Sequence, residues 1–169
     1  MPINQSFLGE LDHEVSTTRK MILRIPDDKL GWKPHEKSMT AGKLASHIAE
    51  MYSWGDATMR TDELDLAPVG GTKWEPFQGK SVAEIVARLD VNFASVKEAL
   101  TAATDDSAWM NMWTLKSAGQ TLMSMPRVAC LRGMVMNHIV HHRGQLSVYL
   151  RLMDVSVPAI YGPSADEKS

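Results

Sequence analysis

The chain has 169 residues, a net charge of −2 and 44% hydrophobic residues, which fits one domain spanning residues 1–169. Acidic and basic residues are interspersed, which argues against the basic surface of a nucleic-acid-binding protein. No apolar run is long enough to cross a membrane, the first residues do not resemble a signal peptide, and there is one cysteine, so we expect a soluble cytoplasmic protein.

Four segments of the chain have apolar residues at three- and four-residue steps, which predicts four helices. The predicted helices run from Ile3 to Ile25, from about Thr40 to Arg60, from Val82 to Leu100 and from about Pro126 to Met153. Ser81 and Glu84 precede the apolar positions of the third segment with the spacing of a capping box. Pro126 is compatible with the first turn of the fourth helix, because its missing N–H has no partner there.

Two long connections separate these helices. The stretch 65–80 is rich in proline and glycine and is predicted to be a crossover loop. The stretch 105–124 contains Trp109 and Trp113 and is predicted to be irregular or hairpin-like. Four helices of about 20 residues with two long connections predict an all-α fold, a four-helix bundle with two crossovers.

Three histidines form the most informative pattern in the sequence. His138 and His142 are four residues apart, so they lie on the same face of the fourth helix. His47 belongs to the inward-facing stripe of the second helix. Neutral imidazoles bind divalent transition metals, and three protein ligands leave coordination positions open for water or substrate. The pattern predicts a metal site between these two helices.

Periodicity alone leaves the composition of this site open. A lone histidine such as His47 on an apolar face is more often a buried core residue than a ligand. His138 could pair with either His141 or His142, since the whole fourth helix is apolar and adjacent residues point about 100° apart. No glutamate follows the first histidine as in the H-E-x-x-H motif, which disfavours a zinc protease.

Several motifs together resemble the DinB/YfiT-like family, for which metalloenzyme activity is expected. The matching stretches are the turn Trp32–Pro34, the helix Ser38–Met51, the stretch His138–Gln145 and the ending Pro158–Pro163. They follow one another along nearly the full length of the chain. The resemblance implies a four-helix bundle with two crossovers that often forms homodimers.

The resemblance also implies a ligand set. It carries over to His47, His138 and His142, which selects His142 over His141, and it makes nickel or zinc the expected metal. Similar proteins such as mycothiol-dependent maleylpyruvate isomerase and bacillithiol S-transferase use this position to activate a low-molecular-weight thiol. Some of them have a glutamate where this chain has His138.

Other residues near these motifs are candidates for the site. Gln145 and Glu50 are the catalytic candidates, since each lies three residues after a histidine and could orient a ligand or act as a base. A buried glutamine and a solvated glutamate are the plain alternatives. Trp54 and Trp113 could line a pocket, and Arg143 is expected to form a salt bridge or an interface.

These observations lead to two hypotheses about function. The first is an enzyme in which an open metal site activates a thiol or water against a small electrophilic substrate. The second is a non-catalytic, metal-binding stress-response dimer. A structural site is normally closed by a fourth protein ligand. The sequence offers no convincing fourth ligand, which favours the enzyme.

Overall fold

The computed structural model of the protein describes residues 1–168 and consists mainly of four long helical segments. These segments are α1 (Ile3–Leu23), α2 (Ala41–Arg60), α3 (Val82–Ala102) and a last continuous helix made of α4 (Arg127–Cys130), a π-helical segment (Leu131–Met136) and α5 (Asn137–Leu152). Their bounds agree with the predicted helices to within a few residues. Among the residues described, no helix has both the length and the apolar composition needed to cross a membrane.

Side-chain caps explain where two of these helices begin. The Thr40 hydroxyl accepts a hydrogen bond from the Lys43 N–H at 3.2 Å, and the Ser81 hydroxyl accepts one from the Glu84 N–H at 3.2 Å. The Glu84 carboxylate does not return the bond to Ser81, as the predicted capping box requires. It accepts the N–H of Lys80 at 2.8 Å instead, one residue earlier.

A small three-stranded sheet corrects the all-α prediction. Its strands are β1 (Glu63–Asp65), β2 (Met112–Ser117) and β3 (Gln120–Pro126), in the order β1-β2-β3. β2 and β3 form the hairpin that was one of the two expectations for residues 105–124. Ala118 and Gly119 connect them with φ values of 49° and 77°, as a two-residue turn of this kind requires. β1 is only three residues long and pairs in parallel with β2, so local periodicity could not indicate it.

α2 packs against both α3 and the last helix. This packing brings His47 of α2 next to the last helix. Gly55 of α2 packs closely against α3. A Cβ atom at Gly55 would be 2.8 Å from Val96 Cγ2 of α3 and 3.4 Å from Leu131 Cδ2 of the π-helical segment. A larger residue would therefore push α2 away from its neighbours. His47 lies on the same helix, two turns earlier.

A buried ion pair holds α5 against α1. The Arg143 side chain is 1% exposed and lies 2.5 Å from a carboxylate oxygen of Glu14, whose side chain is 6% exposed. Arg143 also donates to the Glu14 backbone carbonyl at 3.1 Å and to the Tyr161 hydroxyl, which in turn donates to the Glu14 carboxylate at 2.8 Å. The prediction that Arg143 forms a salt bridge is confirmed. The chain after α5 thus folds back onto α1.

We expect the substitution Glu14→Gln to destabilise the protein by about 3 kcal/mol, because it leaves the buried Arg143 cation without a counter-charge. Urea unfolding at pH 7 measures this loss. Asp90→Asn is the matched control, since it breaks the Arg19–Asp90 pair, whose side chains are 41% and 46% exposed. The control should cost less than about 1 kcal/mol. Equal losses in the two variants would contradict the assignment.

Candidate metal centre

Three histidines from two helices meet in the structure. His47 of α2 lies beside His138 and His142 of α5, with ring centroids 5.3 and 4.8 Å away. One ring nitrogen from each lies within 4.8 Å of the others, and the Nε2 atoms of His138 and His142 are 2.8 Å apart. Two nitrogens bound to one tetrahedral metal at 2.0–2.1 Å are about 3.4 Å apart. Small ring rotations would bring these three nitrogens to that spacing, so the cluster could hold a metal ion.

A hydrogen bond orients His142 of α5. The Gln145 Oε1 atom lies 2.7 Å from His142 Nδ1 and accepts a hydrogen bond from its N–H, so the lone pair of Nε2 is available for a metal. Gln145 Nε2 also lies 3.2 Å from the exposed His141. The structure thus brings His142, and not His141, into the cluster.

All three imidazoles are neutral at neutral pH. Burial lowers the pKa of His47 to about 4, and the charges of His142, His138 and Lys43 add to this effect. Burial also lowers the pKa values of His138 and His142, against the hydrogen bonds with Met134 and Gln145. A neutral imidazole keeps the lone pair that a metal needs. Burial therefore keeps the three side chains in the neutral form that can bind a metal.

His47 of this cluster lines an apolar cavity of about 410 Å³. Trp54 forms the boundary, with its ring centroid 5.6 Å from that of His47 and 5.9 Å from that of His138. The residues that line the cavity are Met39, Lys43, His47, Trp54, Thr58, Leu64, Leu66, Trp74, Pro76, Phe77, Trp113, Leu115, Met123, Cys130 and Met134. The prediction that Trp54 and Trp113 line a pocket is confirmed.

Glu50 and Cys130 have contacts that give each a different role from a metal ligand. Both carboxylate oxygens of Glu50 accept the backbone N–H of Phe77, at 3.1 and 3.2 Å, so this buried side chain fixes the crossover loop that covers the site. The Cys130 sulfur lies 3.4 Å from the Thr58 hydroxyl, and burial raises the pKa of its thiol. Within residues 1–168, the metal-ligating cluster contains neither a cysteine nor a carboxylate.

Several cavity residues could not be predicted from the sequence, because they lie in the small sheet and the crossover, which have no long apolar repeat. Leu64 and Leu66 flank the end of β1, Leu115 lies on β2 and Met123 on β3. Their common signal is weak: apolar residues at alternate positions of short segments. Trp74 of the crossover was equally inconspicuous, since a single tryptophan in a loop has no periodicity.

Comparison with known proteins identifies the family. The family model described as "DinB family" matches residues 1–169. The chain belongs to the DinB family. The uncharacterized protein YrdA of Bacillus subtilis (strain 168) is 27% identical over 165 residues, which are 95% of this chain and 89% of YrdA.

Solved DinB structures share the fold. A DinB-like protein from Bacillus cereus superimposes with a TM-score of 0.69 at 23% identity, covering 93% of this chain and 97% of that one. The DinB-like protein YjoA from Bacillus subtilis superimposes with a TM-score of 0.67 at 18% identity, covering 90% of this chain and 95% of that one. At these identities the likeness establishes the fold.

The lowered histidine pKa values predict how the stability of this DinB protein, freed of metal by a chelator, depends on pH. In the unfolded chain the histidines take up protons near pH 6.5, but in the folded protein His47 does so only near pH 4. The unfolded state then binds more protons, so stability should fall as pH is lowered from 6.5 towards 4. Urea midpoints across this range measure the loss.

The substitution His47→Gln should make the urea midpoint less sensitive to pH, because it removes the most strongly shifted of these groups. His35→Gln is the control, since His35 is exposed and lies outside the cluster. Undiminished pH dependence in His47→Gln would contradict the prediction.

Proposed function

We propose that this DinB protein is a metal-dependent enzyme whose site is built by His47, His138 and His142. The observation that carries the proposal is the convergence of three neutral ring nitrogens beside an apolar cavity that His47 lines, with no fourth protein ligand among the described residues. Three ligands suit a catalytic site, since a coordination position remains for a reactant. Nickel and zinc are the proposed metals, because both bind neutral imidazole well.

A divalent ion held there would act as a Lewis acid that lowers the pKa of a bound thiol or water. The residues of this chain supply the remaining requirements. Gln145 keeps the proton of His142 on Nδ1, so Nε2 stays available at neutral pH. Trp54 packs beside His47 and His138 and adds an apolar face next to the site. The proposed reaction is transfer of the activated group to a small electrophile.

The proposal predicts that the purified protein binds about one equivalent of nickel or zinc. Replacement of His47, His138 or His142 by Ala should lower the metal content to well below half, because each removes one of three ligands. Elemental analysis after loading and desalting measures this. His141→Ala is the matched control, since His141 is an exposed histidine of the same helix and should leave the metal content unchanged. Full metal content in all three variants would overturn the site.

A turnover assay separates the enzyme from a non-catalytic metal-binding dimer. We expect the metal-loaded protein, but not its His142→Ala variant, to accelerate one of two reactions. These are displacement of chloride from 1-chloro-2,4-dinitrobenzene by a thiol, and hydrolysis of a 4-nitrophenyl ester. Bacillithiol, mycothiol and glutathione are tested separately as thiols. Metal binding without acceleration in either assay would favour the non-catalytic alternative. A large rise in melting temperature on metal binding would support that alternative further, since it indicates a structural ion.

A further inference from the structure

The walls of the cavity are mainly apolar and include Trp54, Trp74, Phe77 and Trp113. Trp54 lies between the metal-ligating histidines and Trp74, whose ring centroid is 6.5 Å from its own. Trp113 is 3% exposed, and its Nε1–H donates to the Thr61 hydroxyl at 3.3 Å, so the polar atom of the indole is already bonded. Aromatic faces around a cavity favour a flat ligand, because rings stack on one another over a large area.

The polar atoms of the walls are directed into the protein. The Thr58 hydroxyl donates to the Trp54 backbone carbonyl at 2.8 Å and contacts the Cys130 sulfur. Neither group is therefore arranged to receive a polar ligand. A molecule with several charges would lose its hydration without gaining partners, which is costly. The cavity suits a ligand whose body is apolar.

Hydrogen bonds to α2 hold the crossover wall in place. The Phe77 N–H is bound by the Glu50 carboxylate, and the Gly79 N–H donates to the Ser46 hydroxyl at 3.1 Å. The Trp74 N–H donates to the Leu66 carbonyl at 2.8 Å within the crossover itself. A wall anchored in this way is preformed, so ligand binding does not have to order it.

The charge around the cavity has one sign. Of the lining residues in the described part of the chain, Lys43 alone is charged, and none is acidic. Lys43 is exposed and precedes His47 by one helical turn, so its ammonium is available at the metal end. Three neutral histidines leave a bound divalent ion with its full charge. Both cations attract an anionic group to this end of the cavity.

We infer that the cavity binds a flat, apolar organic molecule that carries one anionic group, with this group at the end formed by Lys43 and the histidines. The inference rests on the proposed function in that the metal supplies part of the attraction. It assigns the substrate class of the same site: an aromatic or polycyclic monoanion that occupies the cavity as the electrophile. A highly polar thiol such as glutathione does not match these walls.

Two fluorescent probes with the same ring system test the inference on the full-length, zinc-loaded protein. 8-Anilinonaphthalene-1-sulfonate is anionic, and N-phenyl-1-naphthylamine is uncharged. We expect both to bind with one site per chain, the sulfonate more tightly. Millimolar S-methylglutathione, which has no free thiol to bind the metal, should displace neither. Fluorescence titration gives the dissociation constants. Failure of both probes to bind, or their displacement by S-methylglutathione, would overturn the inference.

Matched variants locate the probes. Met123→Trp should weaken both probes by about tenfold, because Met123 lines the cavity and the larger ring fills it. Leu122→Trp, at the exposed neighbouring position of β3, is its control and should change neither. Lys43→Met should weaken the sulfonate by about threefold and spare the uncharged probe. Lys37→Met, at an exposed position before α2, should affect neither probe.

The outcomes separate this inference from the proposed function. Equal losses in Met123→Trp and Leu122→Trp would place the probes elsewhere and overturn the inference. Equal affinity for the two probes, unchanged in Lys43→Met, would overturn the anionic group. Elemental analysis of the same samples reports on the metal independently. A protein that loads zinc but binds no probe refutes only the inference, whereas one that binds the probes but no metal refutes the proposed function.

Discussion

The contact between α2 and the last helix is the constraint on which the site depends. His47 comes from one side of this contact, and His138 and His142 come from the other. Gly55 lets α2 pack closely on α3, since a Cβ atom there would be 2.8 Å from Val96 Cγ2, whereas Leu131 of the last helix would be in ordinary contact at 3.4 Å. Helices that approach closely bury apolar surface, and the same geometry brings the imidazoles within reach of one ion. The same contact between helices therefore contributes to the hydrophobic core and brings the three histidines together.

The rotation of α5 about its own axis is determined by contacts on two sides. His142 and Arg143 are adjacent, so their side chains point about 100° apart. Arg143 is buried against Glu14 of α1, while His142 faces α2. With Arg143 anchored, His141 remains exposed. A salt bridge remote from the site therefore helps to select which histidine joins it.

The small sheet and the crossover supply walls of the cavity beside the histidines. β2 and β3 contribute Trp113, Leu115 and Met123 to the wall, and the crossover adds Trp74 and Phe77. The cavity that these segments line lies beside His47 of the histidine cluster. A metal held by that cluster would lie next to an apolar chamber. Such surroundings strengthen the electrostatic interactions of a bound reactant.

The sequence alone determined the four helices, because each carries the apolar repeat of a buried helical face and two begin at side-chain caps. It also indicated the three histidines, since a four-residue spacing places His138 and His142 together on any helix. Resemblance to the DinB family was needed to prefer His142 over His141. Periodicity could not decide between them, as the fourth helix is apolar on most sides and is interrupted by the π-helical segment Leu131–Met136, which shifts its register.

Only the tertiary structure decided what surrounds the histidines. β1 pairs with a strand about fifty residues later, and a three-residue strand has no local sequence pattern that predicts such a partner. Glu50 looked like a general base or a surface carboxylate, but its oxygens hold the Phe77 N–H of a distant loop. Local patterns record which face of an element is buried. The cavity arises from segments far apart in the chain, and their meeting depends on packing that no local pattern encodes.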